Sequence, residues 1–429
     1  MCNSIKLLIS HTRAVYRIKT ALVTVLLSLL GLAFLPGNAR ADVVTDWNGI
    51  ANTVIVTNAE RPAAAALIDM VYVHAAIYDA VNSIDKRYSV YAVSTANVPK
   101  GASQDAATAA AAFHVLKILF PSQQAFLESA YNESLAAIPE GNAKRDGIAL
   151  GFEVAAKFMQ QRANDGRNAN IPYVQGNGAG VWQATPPTFS APLTPWMAQM
   201  RPFMLSSPSQ FRPAGPPALN SLQWSQDYNE TKAYGALNSA IRTLEQTEIG
   251  RFYAEHPGAQ YSRIFRNFVV EKNLSVADNA RLFAMLYLSV ADSLIAAWDS
   301  KYYFNFWRPV TAIRAGETDG NNLTEADPNW TPLVPTPGHP EYPAAHGCLS
   351  AAFAETLRAF FETKKVKITL SSTVTNTSRN FDNTDDIIKE IIDARVYGGM
   401  HYRTSSKHGT IIGKNVAQWM TKHFFKPVR

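Results

Sequence analysis

Cations and imidazoles gather in three clusters in the last third of this 429-residue chain. The first lies in residues 291–314, ADSLIAAWDSKYYFNFWRPVTAIR, where Trp298, Lys301 and Arg308 are offset by three and seven positions. At ~3.6 residues per helical turn these three share one face. Two long cations on one face can close on a single anion, and arginine adds a planar fork of donors. Tyr302, Tyr303, Phe304, Phe306 and Trp307 would keep that face partly dry and so strengthen each ionic contact. A solvated basic pair on an amphipathic helix is the competing account. Arg308 precedes Pro309, which pushes it out of the α region; the helix should break there and turn the guanidinium inward.

The second cluster is residues 335–352, PTPGHPEYPAAHGCLSAA. Its prolines forbid regular helix until Pro343, which suits the first helical position. A helix then runs over about 344–361, and the backbone N–H groups of Ala344, Ala345 and His346 fall in its first turn, where they lack intrahelical partners and suit an anion. The His346 imidazole can donate to that anion or to a leaving group. The third cluster is residues 385–408, DDIIKEIIDARVYGGMHYRTSSKH. A helix through Arg395 should stop at Gly398-Gly399, and a new one should start with Ser405 or Ser406 as N-cap. His401 falls in the turn between them, poorly placed for core packing. His408 and His423 read as surface positions of the last helix. Together the clusters supply two arginines, one lysine, a helix N-terminus and two histidines, an inventory for gripping a tetrahedral oxyanion and presenting an imidazole to its central atom.

The elements that must position these groups are mostly helices. Apolar residues recur at helical spacing over residues 58–82, 103–119, 123–137 and 142–163. Within the first, His74 and Asp79 read as satisfied core or surface residues. Residues 165–217 are rich in Gly, Pro and Ser yet carry Trp182, Phe189, Trp196 and Phe203, rings that would pin an ordered loop to the helical body. Helices resume over 218–256, 261–272 and 275–308. Strand signals are few; residues 366–374, VKITLSSTV, are the best, with an extended connection as the alternative reading. The expected fold is all-α, a large helical bundle with a long Pro/Gly-rich ordered loop, in one domain over 42–429.

Residues 1–41 read as a signal peptide, with a basic start (Lys6, Arg13, Arg17, Lys19), an apolar run over 21–35 and Ala39-Arg40-Ala41 as a cleavage site. The apolar run is shorter than the ~20 residues of a spanning helix. Export to a periplasm or beyond the cell follows. That segment holds five of the forty Lys and Arg and none of the thirty-four Asp and Glu, so the remainder is nearly neutral at about +1. Basicity therefore gives no argument for nucleic-acid binding. No segment after it reaches ~18 consecutive apolar residues, so no integral membrane segment is expected there. Cys348 alone remains after Cys2 is removed, and one cysteine cannot form an internal disulfide.

Lys301-x6-Arg308-Pro309, then Pro343-x-x-His346-Gly347, then Arg395-x5-His401 resembles the three-part signature of the vanadium-dependent haloperoxidase and type 2 phosphatidic acid phosphatase superfamily. The likeness covers about 290–410, and residues 42–82 with Arg201-Pro202-Phe203 look similar to secreted bacterial haloperoxidases. It implies vanadate as cofactor, its oxygens held by Lys301, Arg308, Arg395 and the N–H of Ala345, with Trp298 lining the pocket. It further implies His401 as the axial vanadium ligand, His346 as acid–base group and Asp292 as partner of an arginine. Hydrogen peroxide, a halide and a small organic acceptor would be the reactants. On the phosphatase side of the likeness the same residues would grip the phosphate of a phosphomonoester, with His401 as nucleophile and His346 as leaving-group acid.

Three positions depart from the pattern. Ala344 stands where a serine is usual, Ala345 where a glycine is usual, and Ser405 where an aspartate often follows the second histidine. No carboxylate at 405 orients His401, and an N-cap role is the plain account of Ser405. His339, seven before His346, resembles the bromoperoxidases and favours bromide or iodide over chloride. The leading expectation is a vanadate-dependent haloperoxidase. A phosphomonoesterase working through a phosphohistidine, and a non-halogenating oxyanion-binding relative, share the same residues. The halide, the acceptor and the oligomeric state are not readable from the sequence.

Overall fold

A computed structural model describes residues 42–428. The fold is organised around one long helix, α9 (Val276–Phe304), whose two ends are set by local chemistry. Ser275 caps its start, accepting from the Asp278 N–H, and Asn305 ends it in the left-handed region at φ 49°. Between them Leu, Ala, Met and aromatic residues are buried on every side, as a helix at the centre of a large bundle requires. It is preceded by α1 (Val43–Asn52), α2 (Ala63–Asp85), α3 (Gln104–Leu119), α4 (Gln124–Ala136), α5 (Asn142–Arg162), α6 (Leu222–Gly235), α7 (Leu244–Phe252) and α8 (Pro257–Lys272). After it come α10 (Pro309–Arg314), α11 (Ala345–Phe361), a hairpin of β1 (Ile368–Ser372) and β2 (Thr377–Phe381), α12 (Thr384–Tyr397) and α13 (Arg403–His423). Residues 41–429 pack as one unit. Residues 1–41, with the expected signal peptide, lie outside the described residues.

Helices α2, α11 and α13 pack directly on α9. By length and composition α2 and α9 would pass for membrane spans, but the apolar window of α2 is wholly buried in the bundle and that of α9 94% buried. They are core helices. α11 and α13 approach most closely, because glycines face the contact: a Cβ on Gly409 would sit 2.5 Å from Ala344 O, and one on Gly347 would sit 2.7 Å from Ser406 O. Only a bare Cα admits that spacing. It sets the start of α11 directly against the first turns of α13.

The loop of residues 165–217 is ordered as expected, with no α-helix and two short 3-10 turns, Pro195–Ala198 and Pro208–Phe211. Trp182, Trp196 and Phe203 are buried and hold it down, whereas Phe189 is 63% exposed and does not. Its path also fixes the turn after α9. Asn305 O accepts from the Trp182 N–H at 2.8 Å, Trp307 N–H donates to Gly180 O at 3.0 Å, and Val181 bridges to Phe306.

Four expected element boundaries change. The helix of 218–256 is split, because residues 236–237 leave it to pair with the 331–332 backbone, and α7 restarts from a capping box at Thr243. Helix α9 stops at Phe304, four residues before Arg308. Residues 366–374 contain a true strand, since β1 finds an antiparallel partner in β2. Ser405 is not an N-cap: Tyr402 holds that place, and Ser405 and Ser406 are buried in the first turn of α13.

Candidate active site

The three clusters converge. Lys301 is on the last turn of α9, Arg308 is the extended N-cap residue of α10, Arg395 is on the last turn of α12, and His401 lies in the turn before α13. His346 is in the first turn of α11. The expectation that Trp298, Lys301 and Arg308 share one helix face holds for the first two; Arg308 arrives from the next element, and the break before Pro309 aims it inward.

Lys301 and Arg308 are fully buried and Arg395 is 1% exposed. Lys301 Nζ donates to Pro340 O at 2.9 Å and Glu341 O at 2.8 Å. Arg308 donates from Nε to His339 O at 2.9 Å, from Nη1 to Met400 O at 2.9 Å and His401 Nε2 at 3.1 Å, and from Nη2 to His339 Nδ1 at 3.0 Å. Arg395 is the least satisfied: Nη1 reaches Tyr253 O at 3.3 Å, Nη2 reaches the Met400 sulfur at 3.2 Å, and Nε has no partner. Among the described residues these cations are bonded to carbonyls, imidazoles and a thioether, and to no carboxylate. Burial pushes Arg308 down to about 10 against the pull of Glu341, and burial with the charge of Arg308 pushes Lys301 well below its usual value and Arg395 to about 9.

The carboxylate that does reach the cluster is Glu341, fully buried on the proline-rich segment before α11. Its Oε1 lies 2.8 Å from His401 Nδ1 and accepts from the Tyr402 N–H at 3.2 Å. Burial raises it to about 7 against the pull of Lys301 and Arg308. The Ser405 hydroxyl is near enough to favour the charged form but makes no well-formed hydrogen bond. Sequence reasoning missed Glu341. The available signal was a lone carboxylate between Pro340 and Tyr342, in a segment that also carries His339 and His346.

Burial together with the neighbouring cations holds His339, His346 and His401 neutral, each well below the usual imidazole value. His346 Nε2 is buried without a partner. The start of α11 has no side-chain cap, because its N-cap is Ala344; Pro343, expected as the first helical residue, stands one position before that cap. The N–H of Ala345 lies in this uncapped first turn. Asp292 does not pair with an arginine of the site. It accepts the N–H groups of Phe203, Met204 and Leu205 at 2.7, 2.6 and 2.9 Å, and so fastens the long loop to α9. His408 is half-buried and hydrogen-bonded to the Tyr342 hydroxyl, not a free surface residue, while His423 is exposed.

A cavity of about 360 Å³ opens onto this cluster. Its inner wall carries His339, Ala345, His346, Arg395, Met400 and His401, and Trp298 packs against His339 with ring centroids 5.0 Å apart. Its outer wall is mainly apolar, with Pro62, Ala63, Leu67, Leu193, Pro335 and Pro337. Among the described residues no three His, Cys, Asp or Glu are grouped to hold a metal cation. The donors suit a group that arrives as an anion: uncompensated cations, an uncapped helix N-terminus, the unpartnered Arg395 Nε and His346 Nε2, and a neutral His401 whose Nε2 faces Arg308.

Residues 281–429 match the VCPO second helical-bundle domain. That span holds all of Trp298, Lys301, Arg308, His346, Arg395 and His401. The vanadium chloroperoxidase of Curvularia inaequalis is 29% identical over 152 residues, a match covering 29% of this chain and 24% of that protein. The chain thus matches about a quarter of the length of that curated relative. A bacterial vanadium-dependent iodoperoxidase superposes with a TM-score of 0.77 at 23% identity, over 90% of this chain and 97% of that one. A holo-type bacterial vanadium-dependent chloroperoxidase superposes with a TM-score of 0.66 at 18% identity, over 90% and 93%. These two likenesses establish the helical fold.

Proposed function

We propose that this chain, whose residues 281–429 match a vanadium chloroperoxidase domain, is an exported vanadium-dependent haloperoxidase that binds vanadate and oxidises bromide or iodide with hydrogen peroxide. The observation that carries this reading is the set of three buried cations, Lys301, Arg308 and Arg395, bonded to no carboxylate among the described residues, beside a cavity whose wall carries Arg395 and the three neutral imidazoles of His339, His346 and His401. Among the described residues Glu341 is the one carboxylate in reach of this cluster of cations, and buried charge left uncompensated is costly. An oxyanion supplies the missing charge.

Lys301, Arg308, Arg395 and the Ala345 N–H would hold the vanadate oxygens, and His401 would offer the lone pair of Nε2 to vanadium. Vanadate bound there would supply Lewis-acid activation of peroxide. His346, neutral and with a free Nε2, takes and returns a proton at that atom. Trp298 and His339 close the inner chamber against water, and the apolar outer wall receives the organic acceptor. His339 in the cavity wall supports the larger halides, and a bacterial iodoperoxidase among the structural neighbours is consistent with that choice. The N-terminal basic and apolar segment supports export.

The test is halogenation of a phenolic dye by the purified chain with iodide, bromide or chloride and hydrogen peroxide, with and without orthovanadate, beside hydrolysis of para-nitrophenyl phosphate. Vanadate-dependent halogenation with iodide or bromide supports the proposal. Phosphate release that vanadate inhibits, without halogenation, replaces it with a phosphomonoesterase; silence in both leaves an oxyanion-binding relative.

A further inference from the structure

We infer that Glu341 is the positioning residue for His401, a carboxylate supplied from the segment before α11 in place of one four residues after the histidine. The inference rests on His401 being the group that meets the oxyanion. Arg308 Nη1 lies 3.1 Å from His401 Nε2, and a guanidinium can only donate, so Nε2 must be the accepting nitrogen. In the neutral ring the proton then sits on Nδ1, and 2.8 Å away is Glu341 Oε1, which can accept it. The ring is held from both sides in the one tautomer that leaves a lone pair on Nε2.

Glu341 is fixed in turn by three other parts of the site, although its Oε2 is buried without a partner. Its N–H donates to Phe306 O at 2.9 Å, two residues before Arg308. Its carbonyl accepts from Lys301 Nζ at 2.8 Å, and its Oε1 also accepts from the Tyr402 N–H at 3.2 Å. One residue therefore ties α9, the turn to α10 and the turn to α13 to the orientation of a single ring. Ser405, where the superfamily pattern often has aspartate, sits beside this carboxylate in the first turn of α13. The two positions converge on one place, and in this chain the acid comes from 341.

The test compares wild type with Glu341→Ala, Glu341→Gln and the double variant Glu341→Ala/Ser405→Asp. Protein labelled with ¹⁵N-histidine and free of vanadate reports the His401 tautomer, assigned by loss of its signals in His401→Ala. Calorimetry reports orthovanadate and inorganic phosphate binding. Wild type should show the Nδ1–H tautomer. Glu341→Ala leaves only Arg308 acting on the ring, so it should weaken that preference measurably and weaken orthovanadate by about 10–100-fold, the usual cost of removing an outer-shell partner. Glu341→Gln keeps an accepting oxygen and should fall between, and Ser405→Asp should restore part of the loss. Where Glu341→Ala does not fold, Glu341→Met fills the volume without an acceptor and carries the same comparison. An alanine or methionine variant that keeps the Nδ1–H preference undiminished overturns the inference, even if its affinity falls. A wild type with the predicted tautomer and no affinity for vanadate would instead sink the proposed function and leave the Glu341 assignment standing.

Discussion

Replacing Arg395 by methionine should separate binding from stability. The guanidinium is 1% exposed, one of its hydrogen bonds is long at 3.3 Å, the other goes to the weakly accepting Met400 sulfur at 3.2 Å, and Nε has no partner. Burial and the Arg308 charge depress its pKa to about 9. A folded pKa below the unfolded one means the charged form destabilises the fold. That penalty is fully present below about pH 9 and is relieved only as pH rises from there towards the ordinary guanidinium value. At roughly 1.4 kcal/mol per unit it amounts to a few kcal/mol. Methionine keeps much of the volume and removes the charge, so the anion-free protein should be as stable as wild type or more stable, by about 1–4 kcal/mol. The oxyanion loses charge-assisted hydrogen bonds worth about 1.5–3 kcal/mol each. With two such bonds, orthovanadate affinity should fall at least about 100-fold. Urea unfolding without anion and calorimetric titration with orthovanadate measure the two quantities. Loss of several kcal/mol of stability with affinity intact would show Arg395 to be a structural cation and refute the reasoning.

Three further perturbations test the scaffold. His74 is buried and stacked against both the Phe283 and Tyr287 rings, at 4.9 and 4.7 Å, and burial lowers its pKa to about 3. The unfolded chain binds a proton there from about pH 6.5 downward while the folded one does not. His74→Phe should therefore cut the acid loss of stability by about 1.4 kcal/mol per pH unit between those values, read by urea unfolding at several pH values; an unchanged slope contradicts it. Gly409→Ala should cost about 3 kcal/mol and also weaken orthovanadate, because its Cβ meets Ala344 O at 2.5 Å and pushes the start of α11 off the cavity. Thermal and calorimetric measurements on that variant should move together. Ala344→Ser supplies the missing hydroxyl and should tighten orthovanadate by about tenfold, one hydrogen bond to a charged group; a gain in melting temperature without a gain in affinity would mean that the hydroxyl caps the helix instead.

The site was largely legible because its charged groups stand at fixed spacings within short segments. Lys301, Arg308, His346, Arg395 and His401 all face one cluster, and a proline after Arg308 was enough to locate the break that turns it inward. What the sequence hid was set by contacts between segments. Glu341 has no periodic neighbour to mark it as buried, and its partner lies 60 residues away. The family resemblance made Asp292 an arginine partner, and nothing in its own helix face reveals that a distant loop brings it three N–H groups instead. Ser405 has the chemistry of a cap, but the helix begins at Arg403 and packs that serine inward beside Glu341. Strand β1 was ambiguous because five residues cannot show a hairpin until the second strand is placed against them. The helical class was the easiest expectation, since α2, α3, α5 and α9 each carry apolar spacing over sixteen residues or more.

The most direct measurement of the central claim is a titration of chelator-treated protein with orthovanadate, following binding by calorimetry and iodide oxidation by hydrogen peroxide on the same sample, with His401→Ala beside it. The two wild-type curves should saturate at the same vanadate concentration, and the variant should be inactive at that concentration while remaining folded. Iodide oxidation that is independent of vanadate, or undiminished in His401→Ala, would contradict the account.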